Sequence, residues 1–493
     1  MSNLPYTYFP SFENFKSFVK DIDIIPVFCE IDIGDETPIS VYRKVARSPY
    51  SFLLESVSID DNLSRYSFIG TDPYKVIKTG EGQPDGPVDP LCLIKAEIDN
   101  LRILSIPELD RFEGGMVGYM GYESIKYFED LQINSTDSLN LPESIFMLTT
   151  DFIVMDHVNG RIKIVSYAFL REGVDLSYKN AQSRINALIN RLNNKELNLN
   201  NEIYPEQLND SSISKSFQSN MSRDYYNDSI SKIINYINQG ECIQVVFSQR
   251  FEKSITVHPL EIYRSLRKIN PSPYMFYLNL DGFQVVGASP EMLVRCMDGN
   301  LDYHPIAGTR KRGRTEEEDD FLANELRNSE KDKAEHIMLV DLGRNDIGKV
   351  SKIGTVNVTQ LMGIEKYSHV MHLVSHIKGK LEDGLTCYDV LRSCFPAGTL
   401  SGAPKIRAME IIADLEKDRR GVYGGVTGYI SFSGNMDTAI ALRTMVVKDS
   451  NAYVQAGGGI VADSNVDHEF QETVDKATAL FHAIEDAEAN KLL

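Results

Sequence analysis

Two acidic pairs carry the clearest chemical signal in this chain of 493 residues. Asp332 and Glu335 lie three apart in KDKAEHIMLVDL, and Glu469 and Glu472 lie three apart in HEFQET. On a helix that spacing puts both side chains on one face. Two such helices could offer paired oxygens to a hard divalent cation. Mg²⁺ binds in this way, through few carboxylates, waters and an anionic substrate group. Acidic pairs on helices are more often simply solvated. Here, though, Glu335 is followed by an apolar stripe, and Glu472 comes after Gly457-Gly458-Gly459, a run that reads as a turn. Neither segment is polar all round.

Two glycine-rich stretches could bring backbone close to a ligand. FPAGTLSGAPK (395–405) runs from a loop into a helix, but Ala403-Pro404 precede its lysine, so the phosphate-loop pattern fails at the residues that would do the work. An anion could still meet the N–H groups at the start of the following helix. Gly457–Gly459 is the second stretch. Cations and donors in apolar surroundings complete the set: His372, Tyr423, Arg443 and Lys476. Arg443 lies in an apolar segment that reads as a strand, where an unpaired guanidinium is costly. It needs an anion, either a partner side chain or a substrate carboxylate held bidentately. His372 is equally readable as a satisfied core histidine. Together these residues describe a site for a small molecule with more than one carboxylate, one of them held by metal.

The elements that must position these residues fall into two parts. Residues 1–195 are β-rich, with strands at 51–54, 66–69, 146–154 and 161–167, an Asn159-Gly160 turn and a helix at 176–192. Residues 196–221 are polar and Asn/Ser-rich, reading as a linker or surface excursion. Residues 222–493 hold nearly all the motifs. Ser222 opens a helix reaching Ile237, and further helices are expected at 258–269, 317–328, 331–343, 404–416 and 467–487. Strands are expected at 243–249, 274–279, 283–287, 425–432, 438–447 and 452–457. Without a strict βαβ rhythm, the pattern favours an α+β fold with large antiparallel sheets. The net charge of −19, with no Lys/Arg stripe, argues against nucleic acid as a partner. No window is apolar enough to span a membrane and the N-terminus has no apolar leader-like core, so a cytoplasmic location is expected. The six cysteines show no metal-ligand spacing and read as thiols in a reducing compartment.

GASPEML (287–293), PIAGTRKRG (305–313), AEHIMLVDLGRND (334–346), FPAGTLSGAPK, GGVTGYI (424–430), ALRT (441–444) and QAGGGIVADS (455–464) occur in this order. This series resembles the chorismate-utilising enzymes, and most closely anthranilate synthase component I. The resemblance is dense from about 222 to 485 and sparser earlier, in LLES (53–56), RYSFIG (65–70) and GGMVGYMGYE (114–123). It implies an α/β sandwich of two large antiparallel sheets flanked by helices, with the active site enclosed. It implies Glu335 and Glu472 as Mg²⁺ ligands with Asp332 and Glu469 nearby, the metal holding the ring carboxylate of chorismate. By the same resemblance Tyr423, Arg443, Gly458 and Gly459 hold the enolpyruvyl carboxylate. Thr399, His372 and Lys476 orient the ring, Glu291 is the general acid at the C4 hydroxyl, and the Ala307-Gly308-Thr309 segment lines the substrate. The acceptor of the C2 proton stays open between His372 and a metal-bound water.

Two positions separate branches of the family. Relatives that add water typically carry Lys where this chain has Gln244, and aminodeoxychorismate synthases typically carry a nucleophilic Lys where this chain has Ala307. Both positions favour anthranilate synthesis from chorismate and ammonia. Aminodeoxychorismate synthesis and a non-catalytic tryptophan-sensing relative are the alternatives. LLES and NPSPYM resemble the family's tryptophan feedback site, which implies Leu54, Glu55, Ser56, Asn270, Pro273, Tyr274 and Met275 as its lining. No cysteine sits in the tight glycine turn a glutamine amidotransferase needs, so use of glutamine would require a separate amidotransferase subunit.

Overall fold

The computed structural model describes residues 6–57, 65–106, 109, 112–133, 136–194, 217–366 and 370–490. Their strands form two antiparallel sheets, one of 13 strands and one of 10. Side-chain alternation decides how the sheets stack. In Ser51–Glu55, Phe52 faces one core and Leu53 another; Phe68 and Ile69, Phe152 and Ile153, and Phe276 and Tyr277 repeat the pattern. The first of each pair shares a core with Val117, Ile145, Val294 and Tyr429 of the ten-stranded sheet. The second packs under helices Pro38–Val45, Val174–Asn193, Pro259–Ile269 and Val466–Asn490. Helices Pro90–Ile98, Glu330–Gly348 and Cys387–Cys394 pack on the ten-stranded sheet. The result is the α+β sandwich that the motifs implied.

Both sheets take strands from either side of residues 196–221. Ser51–Glu55 pairs with Tyr274–Leu280, Met275 opposite Glu55, and Gly115–Met120 pairs with Val426–Ser431. Residues 1–195 and 222–493 thus share their sheets. The linker expected at 196–221 lies outside the described residues as far as 216. From Phe217 the chain is packed, with that ring stacked 3.7 Å from Phe481 and Gln218–Ser219 paired to Gln244–Ser254.

Among the described residues four of the chain's passages from one sheet to the other are short connections, the other two running through helices on either side of Gly402–Ala403. The short connections link Tyr66–Thr71 to Lys75–Thr79, Ser144–Thr149 to Asp151–Asp156, Phe283–Ser289 to Met292–Met297, and Met436–Ile440 to Thr444–Lys448. Two strands expected to be continuous are therefore divided. The segment 146–154 breaks at Thr150, and 438–447 breaks at 441–443. The polar run Thr149-Thr150-Asp151 marks the first break, and Arg443-Thr444 closes the second after the apolar Ala441-Leu442. Gly457-Gly458-Gly459 is likewise strand, not turn: within Asn451–Ile460 it pairs with Ser248, Phe247 and Val246.

Most other elements lie where expected. Ser222 caps Arg223–Asn238 by accepting the Tyr225 N–H, and Asn159-Gly160 turns Asp151–Asp156 into Arg161–Phe169. All six cysteines are free, five of them buried. Among the described residues no helix is long and apolar enough to cross a membrane.

The inner strands leave no room for added atoms. A Cβ on Gly118 would fall 1.9 Å from the Ile145 carbonyl oxygen, a backbone atom that cannot swing away. Gly118→Ala is expected to destabilise the fold by about 2–3 kcal/mol, read as a lowered denaturant midpoint. An unchanged midpoint would show that the sheet yields there.

Candidate active site

Helix Val466–Asn490 buries Glu469, Thr473, Ala477, Leu480, Ile484 and Ala487, a stripe of three- and four-residue steps. Its small residues let it lie against strand Asn451–Ile460 and helix Pro259–Ile269. Glu469 is the charged member of that buried stripe, while Glu472 and Lys476 sit beside it and pair at 2.6 Å. Across from them, helix Glu330–Gly348 buries His336, Leu339, Val340, Gly343 and Ile347 and carries Glu335 at its edge. Strand Asn451–Ile460 passes between these groups because it is bare. A Cβ on Gly458 would lie 3.0 Å from Glu469 Oε2 and 3.6 Å from Glu472 Oε1, and one on Gly459 would lie 2.3 Å from Gln244 Nε2.

Glu469 is buried and Glu335 half-buried, while Glu472 is exposed. Burial raises Glu335 above the ordinary carboxylate range, with Gln244 Nε2, which donates to Oε1 at 3.3 Å, opposing the rise. Burial raises Glu469 as well, against the Ser464 hydroxyl that donates to its Oε1 at 2.7 Å; its Oε2 is buried with no partner. Asp332 is already engaged by Arg310 Nη2 at 3.0 Å. The donor set suits a hard divalent cation: two or three carboxylate oxygens and one orphaned buried acceptor, with substrate or water oxygens left to complete the shell. Among the described residues no group of three or more His, Cys, Asp or Glu side chains is arranged to hold a metal ion by itself.

The second half of the site comes from two sheet-to-sheet connections. Glu291 lies between Phe283–Ser289 and Met292–Met297, and Arg443 between Met436–Ile440 and Thr444–Lys448. Their backbones lock to each other's strands, Ile440 N–H donating to Glu291 O and Ala288 N–H to Arg443 O, each at 3.1 Å. Arg443 adopts φ +47°, a left-handed conformation that strand geometry does not allow. Burial pulls its guanidinium below the usual range, and Glu291 opposes this only when its carboxyl is ionised. Glu291 is 7% exposed. Burial pushes its carboxyl up to about 8 even though Thr399 Oγ1 donates to it at 3.1 Å and Arg443 and Lys476 pull the other way. It is therefore a neutral acid at neutral pH.

His372 stands on Val370–Lys380, opposite a bulge in Ile306–Lys311 at Gly308. Its Nδ1 lies 2.9 Å from Gly308 O, which can only accept, so Nδ1 carries the proton and Nε2 the lone pair. Thr309 Oγ1 is 3.1 Å from the same nitrogen. Burial pulls His372 down to about 4, so the ring is neutral. Ala307 is buried in the same strand. Tyr423 is buried, its Oη 3.0 Å from where a Cβ on Gly457 would be. Lys476 Nζ donates to Gly457 O at 3.0 Å. A cavity of about 210 Å³ is lined by His372, Arg443, Lys476 and Pro290.

The chain matches the chorismate binding enzyme family over residues 50–482. It is 44% identical to anthranilate synthase component 1 of Acetivibrio thermocellus across 97% of this chain and 99% of that protein. The Aquifex aeolicus protein of the same name is also 44% identical, across 98% and 99%. This chain belongs to the anthranilate synthase component 1 family of chorismate-binding enzymes. The crystal structure of anthranilate synthase component I from Streptococcus pneumoniae superposes with a TM-score of 0.75 at 36% identity, covering 92% of this chain and 99% of that one. A menaquinone-specific isochorismate synthase from Escherichia coli, 18% identical with a TM-score of 0.70 over 96% and 98% of the two chains, shares the fold.

In this family member a second, larger cavity of about 560 Å³ opens between the sheets. Leu54, Glu55, Ser56, Pro273, Tyr274 and Met275 all line it. Asn270 does not; it lines the smaller cavity beside His372 and Arg443, with its Nδ2 buried and unpartnered. Pro273 and Pro290 line both cavities, so the two share a wall. Glu55 is buried, with Tyr263 Oη donating to one oxygen and Arg267 Nε to the other at 3.2 Å. Sequence reasoning missed the wall from the ten-stranded sheet. Arg295 Nε donates to Asp437 at 2.9 Å, Tyr274 Oη to the other Asp437 oxygen at 2.9 Å, and His304 stacks on His376 at 4.0 Å. Arg295 in the apolar run MLVRCM was a readable signal; its partner, 142 residues away, was not.

Gly458→Ala would push a methyl towards two carboxylates without touching the core. It is expected to leave the circular dichroism spectrum intact and weaken Mg²⁺ binding by about tenfold in calorimetry. Unaltered binding would remove these carboxylates from the metal site.

Proposed function

We propose that this chain condenses chorismate with ammonia, displacing the C4 hydroxyl as water and then releasing pyruvate to leave anthranilate, the first committed step towards tryptophan. The observation that carries the reading is Glu291, a buried carboxyl still protonated at neutral pH beside a guanidinium. Hydroxide leaves poorly, so the departing C4 oxygen needs a proton as nitrogen attacks C2, and Glu291 is an acid of suitable strength. Arg443 and Tyr423, with the bare backbone at Gly458 and Gly459, fit the enolpyruvyl carboxylate. Thr399 holds the acid, and His372, Thr309 and Lys476 border the ring. Glu335 and Glu472, with Glu469 behind them, would hold Mg²⁺, which when bound supplies charge that draws electron density from the ring carboxylate. At Ala307 there is no side chain able to attack C2, and Gln244 cannot act as a base towards water; both favour ammonia as nucleophile.

The same reading extends to regulation and assembly. The larger cavity suits tryptophan as a feedback inhibitor: it offers aromatic and aliphatic walls between the sheets with Glu55, Arg295 and Asp437 at their edges. Ammonia would come free from solution or from a separate glutamine amidotransferase subunit, in the cytoplasm.

Purified chain with chorismate, Mg²⁺ and ammonium is expected to produce anthranilate fluorescence that EDTA or Glu335→Gln removes. Chorismate consumed without anthranilate would overturn the reading. At fixed free ammonia, kcat/KM is expected to fall as pH rises through about 8, because the free enzyme then loses the Glu291 proton. A flat profile from pH 6 to about 9 would remove Glu291 as the acid. Ser56→Phe, which fills part of the larger cavity, is expected to abolish tryptophan inhibition and spare turnover; retained inhibition in a folded variant would place the inhibitor elsewhere.

A further inference from the structure

Close behind the site lies a buried charge with no part in the chemistry described so far. Arg420 is 3% exposed, and each of its side-chain nitrogens donates. Nε and Nη2 donate to the two oxygens of Glu416 at 2.8 and 2.7 Å, Nη1 to Leu400 O at 2.6 Å, and Nη2 also to Val246 O at 2.8 Å. The guanidinium lies 4.6 and 5.6 Å from the ring centroids of Tyr122 and Tyr423. Glu416 also accepts from the Ser248 N–H and hydroxyl, each at 2.8 Å. The N–H groups of Arg420 and Gly421 donate to buried Glu123 at 2.7 and 3.0 Å, tying this turn to the first half of the chain.

Stability alone does not call for a guanidinium here, since a buried ion pair is often replaceable by apolar groups of similar volume at little cost. A rigid planar fork of donors does something apolar groups cannot: it fixes several backbone segments at set angles to one another. Two of those segments end in the site. Leu400 follows Thr399, whose hydroxyl meets Glu291, and Tyr423 N–H donates to Arg420 O at 3.3 Å.

We propose that Arg420 is a positioning residue for the reaction. Through Leu400 O it holds Thr399 against Glu291, and through its own turn it holds Tyr423 beside the glycine strand. The proposal rests on the roles given above to Thr399, Glu291 and Tyr423.

Arg420→Lys keeps the charge but loses the fork. In the folded variant the chorismate KM is expected to rise about 5–10-fold, the size of one or two lost neutral hydrogen bonds. The high-pH limb of kcat/KM is expected to move up by at least about half a unit, because Thr399 no longer favours ionised Glu291. Folded Arg420→Lys with a lowered melting temperature but an unmoved KM and limb would overturn the proposal and leave a purely structural role. Glu416→Gln, a milder change to the same clamp, serves where Arg420→Lys does not fold; it is expected to move both readouts in the same direction, and unmoved values again overturn the proposal. Thr399→Val and Tyr423→Phe are measured alongside. If these two leave the limb and the chorismate KM unchanged, the reading of the site itself fails and the proposal falls with it. If they shift them and Arg420→Lys does not, the positioning role alone fails.

Discussion

Two sheets facing each other across one dry interior can exchange strands only where the backbone leaves its ladder, and each departure strands N–H and C=O groups that must find partners. At 290–291 and 441–443 the two connections satisfy one another, through Ala288 N–H to Arg443 O and Ile440 N–H to Glu291 O. That mutual repair fixes an acid and a guanidinium near each other at the ends of central strands of both sheets. The left-handed φ of Arg443 is tolerated because the paired strands on either side leave the backbone no alternative.

The electrostatic character of the site follows from this placement. Burial drives Glu291 towards its neutral form, while Arg443 and the Thr399 hydroxyl limit the rise. On the other side of the substrate space the same burial acts on Glu335 and Glu469, where a cation rather than a proton is the natural answer. The interior thus holds two sets of carboxyl groups, and the proposed function uses one as an acid and the other as a metal cradle. The glycine strand Asn451–Ile460 lets the cradle, Gln244 and Tyr423 approach a single surface. The shared Pro273 and Pro290 wall sets the larger cavity one residue from Glu291.

Much of this was legible in the chain itself. Three- and four-residue stripes gave helices Glu330–Gly348 and Val466–Asn490 and placed the acidic pairs on them. Ordered motifs gave the sandwich and Glu291. What stayed hidden was long-range. The breaks at Thr150 and 441–443 are marked only by short polar interruptions, and sheet membership is what shows that the strands on either side belong to different sheets. Asp332 looked like a partner of Glu335, yet Arg310, 22 residues upstream, takes it. Asn270 and Pro273 are three residues apart, yet Asn270 lines only the smaller cavity while Pro273 lines both. Nothing local in LEKDRRG says that Leu400 and Val246 close over Arg420.

The central claim is that the fold keeps the Glu291 carboxyl protonated. Infrared difference spectroscopy of ¹³C-Glu-labelled protein, wild type minus Glu291→Gln, reads that proton directly. The account predicts a protonated-carboxyl band at pH 7 that fades as pH rises through about 8. A difference spectrum showing only carboxylate at pH 7 would contradict it.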